Sequence, residues 1–118
     1  MACIGVLIPV RTVSEANARG HWSVRSRRAR EQRWVAHAAM LQATAIFESP
    51  PMTIRLVRIF PPRGRLLDSD NLAVSMKAVR DGIADALGVD DGDPGLRWLY
   101  DQERGVGWGV RAEFPAGR

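Results

Sequence analysis

The chain has 118 residues, enough for one domain with a real core and too few for two. Hydrophobic residues make up 46% and charged residues 25%, and no apolar run approaches the ~18 residues of a membrane span, so the composition is that of a soluble globular protein. Net charge is +4, and the one cysteine, Cys3, excludes an internal disulfide and a cysteine-based zinc site and fits a reducing cytoplasm.

Met1 to Val10 is apolar but lacks a basic start and a small-residue cleavage site. It reads as a strand, Cys3 to Val10, rather than a signal peptide. Thr12 to Gly20 is a loop rich in Ser, Asn and Gly. Ser23 or Ser26 is placed to cap a long helix running to about Phe47, with Trp34, Ala38, Leu41 and Ala45 as its apolar stripe and Arg28, Gln32 and Gln42 opposite. Ser49-Pro50-Pro51 ends it. Met52 to Phe60 reads as a strand and Pro61 to Arg65 as a loop. A second helix, capped by Asp70 or Asn71 and closed by Gly88, buries Leu72, Met76, Val79, Ile83 and Leu87. Arg97 to Asp101 and Val106 to Phe114 read as a hairpin turning near Gln102 to Gly105. The order β-α-β-α-β-β predicts an α+β (mixed α/β) domain over residues 1–118, with two main helices packed on a mixed sheet.

Charge is unevenly distributed. One lysine, Lys77, stands among sixteen arginines, seven of which lie between Arg11 and Arg33. The acids gather from Asp68 to Asp93. A basic half beside an acidic cluster suits an enzyme acting on nucleic acid, where arginines hold phosphates and carboxylates hold metal. A soluble protein with ordinary surface charge has the same bulk composition.

Asp68 and Asp70 are two apart, and in an extended segment such residues point to one side, where they can share a hard cation such as Mg²⁺. Lys77 follows Asp70 by about two helical turns, where it would offset charge on a phosphate or anchor the backbone. The alternative is that Asp68 and Asp70 are loop and cap residues and Lys77 pairs with Asp81 at i+4. The pair Asp90-Asp91 follows the helix. It joins the first pair only if later folding, or a neighbouring chain, brings the two together. A calcium loop of the EF-hand kind does not fit, since Ala73 and Val79 stand where it needs Gly and Glu.

The run Arg65-Leu66-Leu67-Asp68-Ser69-Asp70-Asn71-Leu72, followed by Lys77, Asp81 to Leu87 and Asp90-Asp91, resembles the RusA family of Holliday junction resolvases. That family's pattern is D-x-D-N, a lysine and a D-D pair. Ser14 to Trp22, with Asn17 and His21-Trp22, is similar to the region near the start of RusA-like phage and prophage proteins. The resemblance implies a homodimeric endonuclease that makes paired nicks in four-way DNA junctions with Mg²⁺ or Mn²⁺. Asp68, Asp70 and Asp91 match its metal-binding carboxylates, Asp90 the first acid of the pair, and Lys77 the lysine. Lys77 stands six residues past Asn71, whereas some members have three.

Arg63 and Arg65, directly before the carboxylates, are candidates for phosphates flanking the cut, with Arg19, Arg25, Arg28 and His21 as further DNA contacts. Trp34 and Trp108 read as core. Trp22 and Trp98 suit base stacking or a dimer seam. Leu66-Leu67 reads as buried packing, with a wedge into the junction centre as the alternative. The competing functional class is a non-catalytic basic DNA-binding module, such as a prophage regulator.

Overall fold

A computed structural model describes residues 3–14, 22–44, 47, 51 and 53–115. Four strands, β1 (Cys3–Ile8), β2 (Thr53–Phe60), β3 (Arg97–Arg104) and β4 (Gly109–Pro115), form one sheet in the order β1-β4-β2-β3. Three helices, α1 (Trp22–Leu41), α2 (Ser69–Ser75) and α3 (Lys77–Leu87), complete an α+β fold with a mixed sheet. Among the described residues no helix is long and apolar enough to cross a membrane.

The expected hairpin is absent. β3 pairs with β2 in parallel, from Thr53–Arg97 to Phe60–Arg104, and β4 enters antiparallel between β1 and β2. Gln102 to Arg104, expected at a turn, continue β3. The short link from β3 to β4 therefore crosses the end of β2, where the Gly105 amide donates to the Phe60 carbonyl. A Cβ on Gly105 would come within 2.6 Å of the Ile59 side chain, so only glycine fits this crossing.

The core lies between the helices and one sheet face. Ile54 and Leu56 of β2 and Val110, Ala112 and Phe114 of β4 meet Leu72, Met76, Val79 and Ile83 from the helices. The buried stripe expected after Asn71 is thus present, with Leu87 partly buried at its end. The second helix is broken, however. Met76 (φ −111°, ψ 10°) ends α2, and its amide turns back to the Ala73 carbonyl. Gly88 closes α3 with φ 70°, as expected.

The expected face of α1 is inverted. Gln32, Ala36 and Met40 are buried, whereas Trp34 is 71% and Leu41 53% exposed. The cause is the crossing with α3. A Cβ on Gly82 would lie 2.8 Å from Ala36 Cβ and nearer still to the Arg33 carbonyl oxygen, so the two backbones touch and only small residues fit between them. Gln32 is buried because its Nε2 donates to the Arg11 carbonyl at 2.9 Å. The helix also begins at Trp22, ahead of both expected caps, and Ala45 lies outside the described residues.

The opposite sheet face carries a ladder of charges. Arg55 bridges Asp101 and Glu113, and Arg111 bridges Glu113 and Glu103. Arg111 holds Glu103 below the ordinary carboxylate range, and Arg111 then Arg55 do the same for Glu113. Asp101 is held low first by the Gln102 amide and then by Arg55.

Candidate functional site

The acidic segment before α2 is fixed by strand β3. Gln102 donates from Nε2 to the Leu67 carbonyl at 2.7 Å, and its Oε1 accepts the Leu67 amide at 3.0 Å. The same Oε1 accepts Arg58 Nη1 at 3.1 Å, and that nitrogen also reaches the Arg65 carbonyl at 2.9 Å. Arg104 Nη1 holds the Gly64 carbonyl at 3.2 Å and that of Pro62. Three side chains therefore draw in the carbonyls of the 61–67 loop, leaving Arg63, Arg65 and Leu66 exposed. Leu66 is not the buried residue expected, because the loop's inward contacts are made by its backbone.

Asp68, not Asp70 or Asn71, caps α2. Its Oδ1 accepts the Asn71 amide at 2.8 Å and its Oδ2 the Asn71 side-chain amide at 3.1 Å. Asp70 lies inside the first turn of α2, so strand alternation does not set the relation of the two carboxylates. Both are exposed at the N-terminus of α2. Each Asp68 oxygen keeps a lone pair beyond its capping bond.

The second acidic pair is docked on the same strand, further back. The Asp91 carbonyl accepts the Trp98 indole N–H at 3.0 Å and Arg80 Nη2 at 2.8 Å. Arg80 Nε lies 3.3 Å from the Asp91 carboxylate, and its guanidinium sits 4.9 Å over the Trp98 ring. Arg80 also donates to Tyr100 Oη at 2.9 Å. Trp98 thus packs within the chain and is not an open stacking platform. Asp90 Oδ1 accepts the Gly92 amide at 2.9 Å in a local turn.

Trp98 and Gln102 are four residues apart on β3, roughly 13 Å along an extended strand. Oxygens sharing one Mg²⁺ must each lie ~2.1 Å from it. Among the described residues no three His, Cys, Asp or Glu side chains come close enough to hold a metal. Within the chain the segment carrying Asp68 and Asp70 is thus held at Gln102 and the segment carrying Asp90 and Asp91 at Trp98. The donor chemistry of Asp68 and Asp70 fits Mg²⁺, which often takes one or two protein carboxylates and completes its shell with waters and substrate phosphate.

Lys77 begins α3, beyond the break at Met76, so the two-turn relation to Asp70 does not hold. It lies 3.4 Å from Asp81 in the i+4 pair given above as the alternative. Lys77, Asp81, Asp85, Asp90 and Asp91 line one polar depression of about 370 Å³ with Arg33. Arg33 grips Asp85 through Nε and Nη2 at 2.6 and 2.9 Å, and these bonds hold the Asp85 carboxyl below its usual range. Lys77 and Asp81 also border a cavity of about 560 Å³ lined by Trp22, Arg25 and Val74. Arg25 is exposed there, and Arg28 is half-buried beside Arg11 on the other flank of α1. Arg19 and His21 lie outside the described residues.

Arg58, Gln102, Arg104 and Arg80 were not among the sequence candidates. Arg58 alone had a readable signal: it is a charge on the otherwise apolar face of β2, in register with Ile54, Leu56 and Phe60. Trp108, expected in the core, is half-buried, with Arg11 and Arg58 stacked on its ring at 5.1 and 5.3 Å.

An uncharacterized protein of Xylella fastidiosa (strain Temecula1 / ATCC 700964) is 41% identical to the chain over 78 residues, which are 64% of this chain and 51% of that protein. The chain thus spans about half the length of this relative. No protein-family model and no solved structure matches the chain.

Proposed function

We propose that the protein is a metal-dependent, structure-selective DNA endonuclease that resolves four-way junctions as a homodimer, in the manner of the RusA family its motif resembles. The observation that carries this reading is one loop–helix unit. It presents exposed Arg63 and Arg65, with no carboxylate partner among the described residues, directly before exposed Asp68 and Asp70. On a surface made only to bind phosphates, carboxylates at that place would repel the ligand. Beside a divalent ion they are required. Mg²⁺, or Mn²⁺ in its place, held by Asp68 and Asp70, supplies Lewis-acid polarisation of the scissile phosphate when bound.

The chain's own residues do the rest. Arg63 and Arg65 hold the flanking backbone, and the Gln102–Leu67 clamp keeps the carboxylates in register with them. Lys77, already paired with Asp81, lends its charge to the backbone beyond the cut. Asp90 and Asp91 enter through the dimer. A two-fold axis that sets one copy's Asp90-Asp91 beside the other's Asp68-Asp70 completes both sites at once and yields two symmetric cuts.

The spacing of the two acidic groups within a subunit favours a second reading, a non-catalytic DNA-binding module. Synthetic four-way junction, fork and duplex, incubated with and without Mg²⁺, separate the two. The enzyme cuts the junction only with metal, and Asp70→Asn binds it fully without cutting. If wild type and Asp70→Asn bind alike and neither cuts any substrate, the module reading replaces the enzyme.

A further inference from the structure

Arg33, Arg55, Arg80 and Arg111 each lie against a carboxylate. Arg11, Arg58 and Arg104 do not, among the described residues. These three gather where the ends of β2 and β3 meet the segment after β1. Arg58 and Arg104 stand 4.9 and 4.8 Å over the Phe60 ring, and Arg11 and Arg58 share the Trp108 ring. Arg58 is only 4% exposed. Its partners are the Thr12 hydroxyl at 2.9 Å, the Arg65 carbonyl and the Gln102 amide oxygen, all uncharged. Burial alone pushes its pKa down, with no neighbouring acid to oppose the shift.

Ring faces and carbonyls orient these guanidiniums but leave their charge uncancelled. Like charges collected around two rings, one of them buried, call for an anion from outside. The patch does not end at Phe60. Arg58 and Arg104 hold the loop that displays Arg63 and Arg65, and that loop leads straight to Asp68. A row of positive charges fits a polymer of phosphates better than one small anion.

We propose that exposed Arg11 and Arg104, with the buried charge of Arg58 behind them at Trp108 and Phe60, bind a backbone phosphate of the same DNA strand that runs over Arg63 and Arg65 to Asp68. This rests on the reading that the protein acts on DNA.

Arg11 is the residue to test, because it is exposed and, among the described residues, its side chain lies against the Trp108 ring. Binding of a fluorescent four-way junction without divalent metal is followed from about 50 to 200 mM NaCl, where each neutralised phosphate adds roughly 0.9 to the slope of log affinity against log salt. Arg11→Ala, checked for wild-type melting, is expected to lose close to one unit of slope and about tenfold in affinity at low salt, while Arg11→Lys keeps the slope. Arg97→Ala, at the far end of β3, serves as the control and retains both. Inorganic phosphate at matched ionic strength is expected to compete no better than chloride. Competition that is specific to phosphate and lost in Arg11→Ala would reassign the site to a free anion and overturn the proposal. If wild type binds the junction tightly and Arg11→Ala has the same slope and affinity, the phosphate site is wrong and the DNA reading stands. If wild type binds no DNA at all, the DNA reading falls and takes this site with it.

Discussion

Gly82→Ala tests the α1–α3 crossing that positions the depression around Lys77. The new Cβ would overlap Ala36 Cβ at 2.8 Å and press harder on the Arg33 carbonyl, which belongs to the backbone and cannot rotate away. Helix propensity alone would stabilise the variant by about 1 kcal/mol. Overpacking costs ~1–3 kcal/mol, and contact with backbone puts this site at or beyond the upper end. The expected net loss is about 2 kcal/mol, or roughly 6–12 °C in melting temperature for a domain of this size. Adding Ala36→Gly does not rescue it, because the carbonyl stays in place and a glycine inside α1 costs about 1 kcal/mol more. Urea unfolding followed by circular dichroism measures the difference directly. A Gly82→Ala protein as stable as wild type, or more so, would refute the close crossing and the inverted face of α1 with it.

Gln102→Ala removes both clamps on Leu67 and one acceptor of Arg58, and should cost about 2 kcal/mol. On the proposed function it lowers junction cleavage more than junction binding, and equal losses in both would argue against a positioning role. Trp34→Ser, on the exposed face of α1, should change monomer stability by no more than ~0.5 kcal/mol, and a larger loss that depends on protein concentration would place Trp34 in the dimer seam. Glu103, Glu113 and Asp101 all have depressed carboxyl pKa values in the fold. Their contribution is fully present above the unfolded carboxylate range, about pH 4, and is lost as pH falls through the folded values. Melting temperature should therefore fall on acidification below about pH 4. Glu113→Gln should flatten that fall, and a wild-type profile level down to about pH 3 would contradict it.

The strands β1 and β2 and the buried stripe from Leu72 to Leu87 were legible because their apolar residues carry the period of the element. The glycine that closes α3 was legible for an equally local reason, since Gly88 must adopt a left-handed φ. The face of α1 was not. A crossing built on Gly82 and Ala36 leaves almost no hydrophobic signal, while Trp34 supplies a strong one on the wrong side. The hairpin is absent because β3 and β4, neighbours in sequence, are not neighbours in the sheet: β4 inserts between β1 and β2. At the candidate site the residue types were readable, including the possible Lys77–Asp81 pair. The side chains that fix them were not, because Gln102, Arg104 and Arg80 act through backbone carbonyls that no pattern of residues encodes.

Edge strand β3 serves as a ruler. Trp98 and Gln102 hang the two acidic segments from fixed marks, and neither segment can slide without breaking its peg. On the proposed function a lone molecule is therefore half an apparatus on each flank. Under the proposed assembly, turnover in dilute solution would climb with the square of protein concentration and become linear once pairing saturates.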